Sequence, residues 1–345
     1  MKTYTHLDAP LRVCGVPHFE KSREFRRLPD ALINQEILAD IKHHRLGLRT
    51  PGARVAFRTD ADEIRLRMTT SCSFDLGMSV FAARTAYVYL GDRANMRYAG
   101  MLCPGTYEKA SSELIIRKAA VMEEITVYLP RNEHVEAFEV ELPDGATVTE
   151  PTPYSFADGK PIVFYGSSIT EGGCSTIAPN AYTAMVARHL DADHINLGFS
   201  GHARGESCMA DYINTLDMSV FVLDYDHNAP TVEHLAATHE LFFLRVRKAH
   251  PTLPIIMMTR PNAPHSLRPD GELNADVAAR REVVLTTYRN ALARGDRNVY
   301  FVDGSTFFPK DEIAFYTVDG THPNDLGFAC MAAAVESVIR EILEK

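Results

Sequence analysis

The sequence predicts two architectures in succession: an antiparallel β-sandwich over residues 1–150 and a doubly wound parallel α/β sheet over 161–345, joined by a linker at 151–160. Two rhythms carry this reading. The first half is made of short segments in which apolar and polar residues alternate, as strands buried on one face require. The second half alternates short, almost wholly apolar runs with longer amphipathic stretches, as a parallel sheet covered by helices on both faces requires.

In chain order, the alternating segments are RVAFRT (54–59), EIRLRMTT (63–70), TAYVYLG (85–91), LIIRKA (114–119), EITVYLP (124–130) and EAFEVEL (136–142). Turn signals such as Thr50-Pro51-Gly52, Pro104-Gly105 and Pro143-Asp144-Gly145 separate some of them. The stretch ALINQEILADIKHH (31–44) reads as a helix or a loop decoration. TEPTPYSFADGK (149–160) is rich in Pro and polar residues, has no apolar period and reads as the linker. Beyond it come the apolar runs IVFYG (162–166), HINLG (194–198), SVFVLDY (219–225), IIMMT (255–259) and VYFVD (299–303). Helices are predicted around 180–190, over 234–250, over 276–294 and over about 325–344. Ligands of such sheets bind at the carboxyl ends of the strands, so chemistry is sought there.

Composition narrows the function classes. The 345 residues are 46% hydrophobic and 23% charged, enough apolar material for a sizeable core. A formal net charge of -9 argues against general affinity for nucleic acid or for anionic membrane. No stretch reaches the roughly 18 uninterrupted apolar residues of a membrane span. Lys2 is followed by no apolar run, so no secretion signal is expected and a cytoplasmic location is. The six cysteines, Cys14, Cys72, Cys103, Cys174, Cys208 and Cys330, are scattered without metal-type spacing and are expected to be free thiols.

Four segments at predicted strand ends or loops carry chemistry. Gly166-Ser167-Ser168-Ile169-Thr170-Glu171-Gly172-Gly173 follows the first apolar run and places a serine at a strand-to-helix turn. Asn196-Leu197-Gly198-Phe199-Ser200-Gly201 follows the second, and a glycine there lets a backbone N–H approach a reacting carbonyl. Asp224-Tyr225-Asp226-His227-Asn228-Ala229-Pro230 ends the third, with an Asn amide able to donate to an oxyanion. Asp224, Asp226 and His227 are also metal-ligating types, but no partner ligand pattern accompanies them. Asp319-Gly320-Thr321-His322-Pro323-Asn324 precedes the last helix; its Asp can hold one imidazole nitrogen and leave the other free as a base. Each segment alone also reads as an ordinary turn or helix cap. Together they supply nucleophile, base, orienter and oxyanion donors, the set that acyl transfer needs.

These blocks resemble the SGNH/GDSL hydrolase superfamily over about residues 161–345. Gly166-Ser167-Ser168-Ile169-Thr170 is similar to its G-D-S-[LI]-T block, Gly198 to its second-block glycine, and Asp319-Gly320-Thr321-His322 to its D-x-x-H block. Two departures stand out: Ser167 replaces the usual acidic residue, and Asp226-His227-Asn228-Ala229 replaces the usual G-x-N-D. The longer strings YGSSITEGGCS and THPNDLGF resemble a bacterial branch with an N-terminal, jelly-roll-like β-sandwich, some members of which are carbohydrate acetylesterases. The resemblance implies a flavodoxin-like three-layer αβα sandwich. It also implies a serine esterase with Ser168 as nucleophile, His322 as base and Asp319 as orienter. The oxyanion hole would comprise the N–H groups of Ser168 and Gly198 with the Asn228 side chain.

That chemistry requires no cofactor and no metal. The expected substrate is a short-chain ester, first an O-acetyl group on a small carbohydrate or oligosaccharide. An acyltransferase using the same acyl-enzyme and a carbohydrate-binding protein with little catalysis are the alternatives. His202, Arg204, Glu206 and Arg260, just beyond predicted strands, are candidate substrate contacts, with solvated surface charge an equal reading for each. Asp303 is expected to make structural hydrogen bonds, and Phe242-Phe243 and Phe307-Phe308 to be core. A homo-oligomer is compatible with the sequence; nucleic-acid and membrane partners are not expected.

Overall fold

The computed structural model describes residues 1–71, 79–106 and 109–344. Among these residues ten antiparallel strands come first: β1 (Lys2–Thr5), β2 (Arg12–Cys14), β3 (Arg54–Thr59), β4 (Glu63–Thr70), β5 (Ala86–Leu90), β6 (Arg97–Leu102), β7 (Ser111–Arg117), β8 (Glu123–Tyr128), β9 (Val135–Leu142) and β10 (Val148–Thr149). They form two sheets, β1-β9-β4-β7 and β10-β3-β8-β5-β6, with β2 paired to β3. β4 shows why alternation was legible. Ile64, Leu66 and Met68 face the shared core with Phe57, Val88, Val127 and Phe138. On the outer face Arg67 meets Glu113 at 2.7 Å and Glu141 at 3.1 Å across the strands. The alternating segments all became strands. β1, β2, β6 and β10, which are short or poorly alternating, were not foreseen.

The second unit holds five parallel strands: β11 (Ile162–Gly166), β12 (His194–Gly198), β13 (Val220–Asp224), β14 (Ile255–Met258) and β15 (Val299–Val302). Their order is β12-β11-β13-β14-β15, so the chain steps outward from β11 to β12 and then crosses to β13. The β11–β13 boundary is the topological switch point. β11 to β14 are buried along their whole length, which is why they read as continuous apolar runs. Helices Ser207–Ile213, Val232–Ala249 and Ala275–Ala293 send Met209, Phe242 and Val284 into one face's core. Helices Tyr182–His189 and Asp325–Leu343 send Val186 and Val335 into the other.

The stretch 31–44 is not one helix but three short turns, Asp30–Ile33, Glu36–Leu38 and Ala39–His43. The break lets Leu32, Leu38 and Ile41 all reach the α/β core beside Leu197, Phe199 and Tyr212. Cys14, Cys103, Cys174, Cys208 and Cys330 are free; Cys72 lies outside the described residues. Among the described residues no helix is long and apolar enough to cross a membrane.

Candidate active site

Ser168 opens a four-residue helix directly after β11, at the carboxyl end of the sheet. Ser167 stands at the N-cap and its hydroxyl accepts the Ile169 N–H at 3.1 Å. Ser167 therefore satisfies one of the helix's unpaired N–H groups. Ser168 is buried at 7% exposure, and its hydroxyl donates to His322 Nε2 at 2.9 Å.

The opposite nitrogen, Nδ1, lies 2.7 Å from Asp319 Oδ2. Asp319 Oδ1 accepts the backbone N–H groups of Thr321 and His322 at 3.0 and 2.7 Å. Burial alone would raise the Asp319 carboxyl, but these bonds and the facing imidazole hold it down at about 2. It is ionised at neutral pH, so Nδ1 carries the proton and Nε2 is the basic end. The loop is closed by a bridge between Thr317 and Pro323 and by Val318 N–H donating to His322 O at 2.9 Å. Asn324 is the N-cap of the last helix. The next residue, Asp325, accepts from Thr176 N–H at 2.7 Å and Asn180 Nδ2 at 2.9 Å. These bonds tie the histidine loop to the segment that follows the serine.

The predicted oxyanion donors fare differently. Asn228 Oδ1 accepts the Ala203 N–H at 3.4 Å, which leaves its NH₂ as the end able to donate elsewhere. Gly198 is a correction. Its N–H donates to Asn196 Oδ1 at 2.9 Å, and a Cβ there would fall 2.2 Å from the Glu171 nitrogen. Gly198 is a glycine because β12 packs against the serine's helix, not because it offers an N–H to substrate. Gly201, three residues on, has φ +73° and open space around it. Its neighbour Ser200 is held by Glu171, on the serine's own helix, and Ala203 is held by Asn228.

Beneath the site, Asp224 accepts from Tyr182 at 2.8 Å and Thr170 at 2.9 Å. Burial first, and Asp226 second, push its carboxyl up to about 7. Burial, then Arg260 and His322, keep His227 well below the usual imidazole range, so it is neutral. Among the described residues no three His, Cys, Asp or Glu side chains gather as a metal site.

The candidate substrate contacts are mostly engaged with protein. His202 Nδ1 donates to Ser200 O at 2.5 Å and its ring packs on His44. Arg204 pairs with Asp40 at 3.2 Å. Glu206 accepts from Tyr165 at 2.9 Å and from the Arg204 N–H at 3.2 Å. Arg204 and Glu206 also line a cavity of about 590 Å³ with Pro230, His234 and Leu241. Arg260 donates its N–H to Asp226 at 3.0 Å, and its guanidinium lies 3.5 Å from His227 O, next to Asn228. Asp303 pairs with Arg281, and the two Phe-Phe pairs are buried.

A family model described as the GDSL-like Lipase/Acylhydrolase family matches residues 159–340. A second model, described as the N-terminus of Esterase_SGNH_hydro-type, matches residues 3–148. No curated protein matches the chain. Among solved structures, a Bacteroides ovatus protein described as GDSL-like is 23% identical, with 99% of this chain and 98% of that one covered and a TM-score of 0.82. The salicylyl-acyltransferase SsfX3 of a tetracycline biosynthetic pathway is 20% identical over 99% and 98%, with a TM-score of 0.79. A family two carbohydrate esterase from Clostridium thermocellum, solved with cellohexaose, is 15% identical over 85% and 93%, with a TM-score of 0.61. At these identities the likeness is one of fold, and it extends over both units.

Proposed function

The chain belongs to the GDSL-like lipase/acylhydrolase family, and from that premise we propose that it is a serine esterase acting on short-chain esters, with O-acetyl groups on carbohydrate the leading substrates. The observation that carries the proposal is the continuous relay from Ser168 Oγ to His322 to Asp319.

In this mechanism Ser168 Oγ attacks the ester carbonyl carbon while His322 Nε2 takes its proton. The carbonyl π electrons move onto oxygen, which meets the N–H groups of Ser168 and Gly201 and the Asn228 NH₂. The tetrahedral adduct collapses, the C–O bond to the alcohol breaks, and His322 returns the proton to the departing oxygen. Water, deprotonated by His322, then releases the acyl group by the same steps. Asp319 stays ionised throughout and stabilises the imidazolium.

The carbohydrate part of the proposal is supported by the fold shared with family two carbohydrate esterases. A second reading, transfer of the acyl group to an alcohol instead of water, is favoured by the greater likeness to a salicylyl-acyltransferase along nearly the whole chain. The test is turnover of p-nitrophenyl acetate, butyrate and octanoate by the wild type and Ser168→Ala, followed by acetylated oligosaccharides with and without an alcohol acceptor. Acetate turnover lost in the variant is expected. Equal turnover by both proteins contradicts the assignment, and product found only on the acceptor favours the transferase.

A further inference from the structure

We propose that Arg27 and Arg49, from the segment between β2 and β3, are positioning residues that hold the oxyanion loop 199–203 in place through the buried carboxylate of Glu171. The geometry does not depend on the esterase reading; its kinetic consequence rests on that reading.

Glu171 ends the short helix that Ser168 begins and is fully buried. One oxygen, Oε2, accepts the Ser200 N–H at 3.1 Å and the Ser200 hydroxyl. The other, Oε1, lies 3.7 Å from Arg27 Nη2 and 3.7 Å from Arg49 Nη1. A buried carboxylate is tolerated only when paired, and among the described residues both cations facing it come from outside the α/β unit.

Arg27 does more than balance charge. It is itself 1% exposed. Its Nη1 donates to Asn196 O at 3.0 Å and Gly198 O at 2.5 Å. Its Nε donates to Arg49 O at 3.0 Å and its Nη2 to Leu46 O at 2.6 Å, and the guanidinium lies over the Phe199 ring. Among the described residues β12 is an edge strand, paired with β11 alone. Where a further strand would cap its open edge, one planar five-donor group does so. The strand end, the residue after it and the Ser200 anchor are thereby fixed together. Gly201, the proposed donor, follows immediately.

A displacement of about 1 Å in a reacting geometry costs on the order of 10²-fold in rate. Glu171→Gln keeps size and an acceptor for Ser200 but removes the carboxylate charge that faces both guanidinium groups. Arg27→Lys keeps charge but cannot span four carbonyls. In variants shown to be folded by circular dichroism and a cooperative thermal transition, we expect kcat on p-nitrophenyl acetate to fall about 10²-fold for Glu171→Gln and less for Arg27→Lys, with KM unchanged. Amide hydrogen exchange over residues 199–203 should accelerate in both, while the 317–323 loop exchanges as in the wild type. Folded variants with wild-type exchange at 199–203 overturn the proposal whatever their kcat. If the wild type turns over no ester, the hydrolase reading falls, and exchange alone decides the positioning.

Discussion

Ser168 meets its base on one side and its proposed oxyanion donors on the other, and the two sides are built in opposite ways. On the base side, Asp319 and His322 lie three residues apart in one closed loop, at 50% and 25% side-chain exposure. The bonds that join Asp319 to His322 lie within that loop. On the oxyanion side, the serine's helix, the end of β12 and the loop that follows it are fixed by Glu171, Asn196 and Arg27, all essentially buried. The bond from Arg27 to Gly198 spans 171 residues of sequence. An exposed loop can carry an ionised carboxylate at little desolvation cost. A site meant to stabilise a developing negative charge gains from a dry, rigid setting, where donors need no reorganisation.

The contrast can be broken from the base side first, where the expected effect is largest. Asp319→Asn keeps the volume but favours the wrong imidazole tautomer, and kcat of the folded variant should fall about 10⁴-fold. Wild-type kcat in this variant would leave Asp319 a cap and not an orienter. On the oxyanion side, Asn228→Ala should lower kcat about 10²–10³-fold, with KM for p-nitrophenyl acetate little changed. A purely KM effect would make Asn228 a ground-state binding residue instead.

Stability separates the two glycines of the oxyanion segment. Gly198→Ala forces a Cβ to within 2.2 Å of the Glu171 nitrogen, so urea unfolding should show a loss of roughly 1–3 kcal/mol. Gly201→Ala meets nothing within 4 Å and strains only the backbone at φ +73°, about 1 kcal/mol. Equal losses would mean that the packing of β12 on the serine's helix is looser than the structure shows.

The smallest effect is one of pH, and its sign differs between the sides. Asp319 is depressed from 3.8 to about 2, so it contributes stability above pH 4 that is lost as pH falls towards 2. Asp224 is raised from 3.8 to about 7, so its contribution is full below pH 4 and is lost as pH rises through 7. The wild type should therefore lose thermal midpoint between pH 5 and 8 relative to Asp224→Asn, which cannot ionise. Parallel midpoint curves for the two proteins over that range would show that Asp224 does not titrate there.

This asymmetry also governs what the sequence could reveal. Gly-Ser-Ser-Ile-Thr and Asp-Gly-Thr-His are contiguous strings whose internal contacts, Ser167 to Ile169 and Asp319 to His322, span at most three residues, so their local geometry follows from local chemistry. The runs of β11 and β12 were legible to the residue because strands buried on both faces are mostly apolar. The choice between Gly198 and Gly201 was not legible. It depends on the Asn196 side chain folding back onto the Gly198 N–H, a tertiary consequence of burial beside Thr170 and Thr183. Arg27 gave no signal at all: a lone arginine in an irregular stretch looks like a solvated charge until the β12 edge is seen to need it. The same holds for Arg204 and Glu206, whose partners Asp40 and Tyr165 lie on distant elements.

The central claim, that Ser168 is a nucleophile activated by His322, is tested most directly by covalent trapping. The protein would be incubated with an alkyl fluorophosphonate and the adduct mapped by peptide mass spectrometry, with Ser168→Ala and His322→Gln alongside. The account predicts one stoichiometric adduct on the peptide containing Ser168, absent in Ser168→Ala and strongly slowed in His322→Gln. An adduct on another residue, or labelling of Ser168 that is as fast without His322, would contradict it.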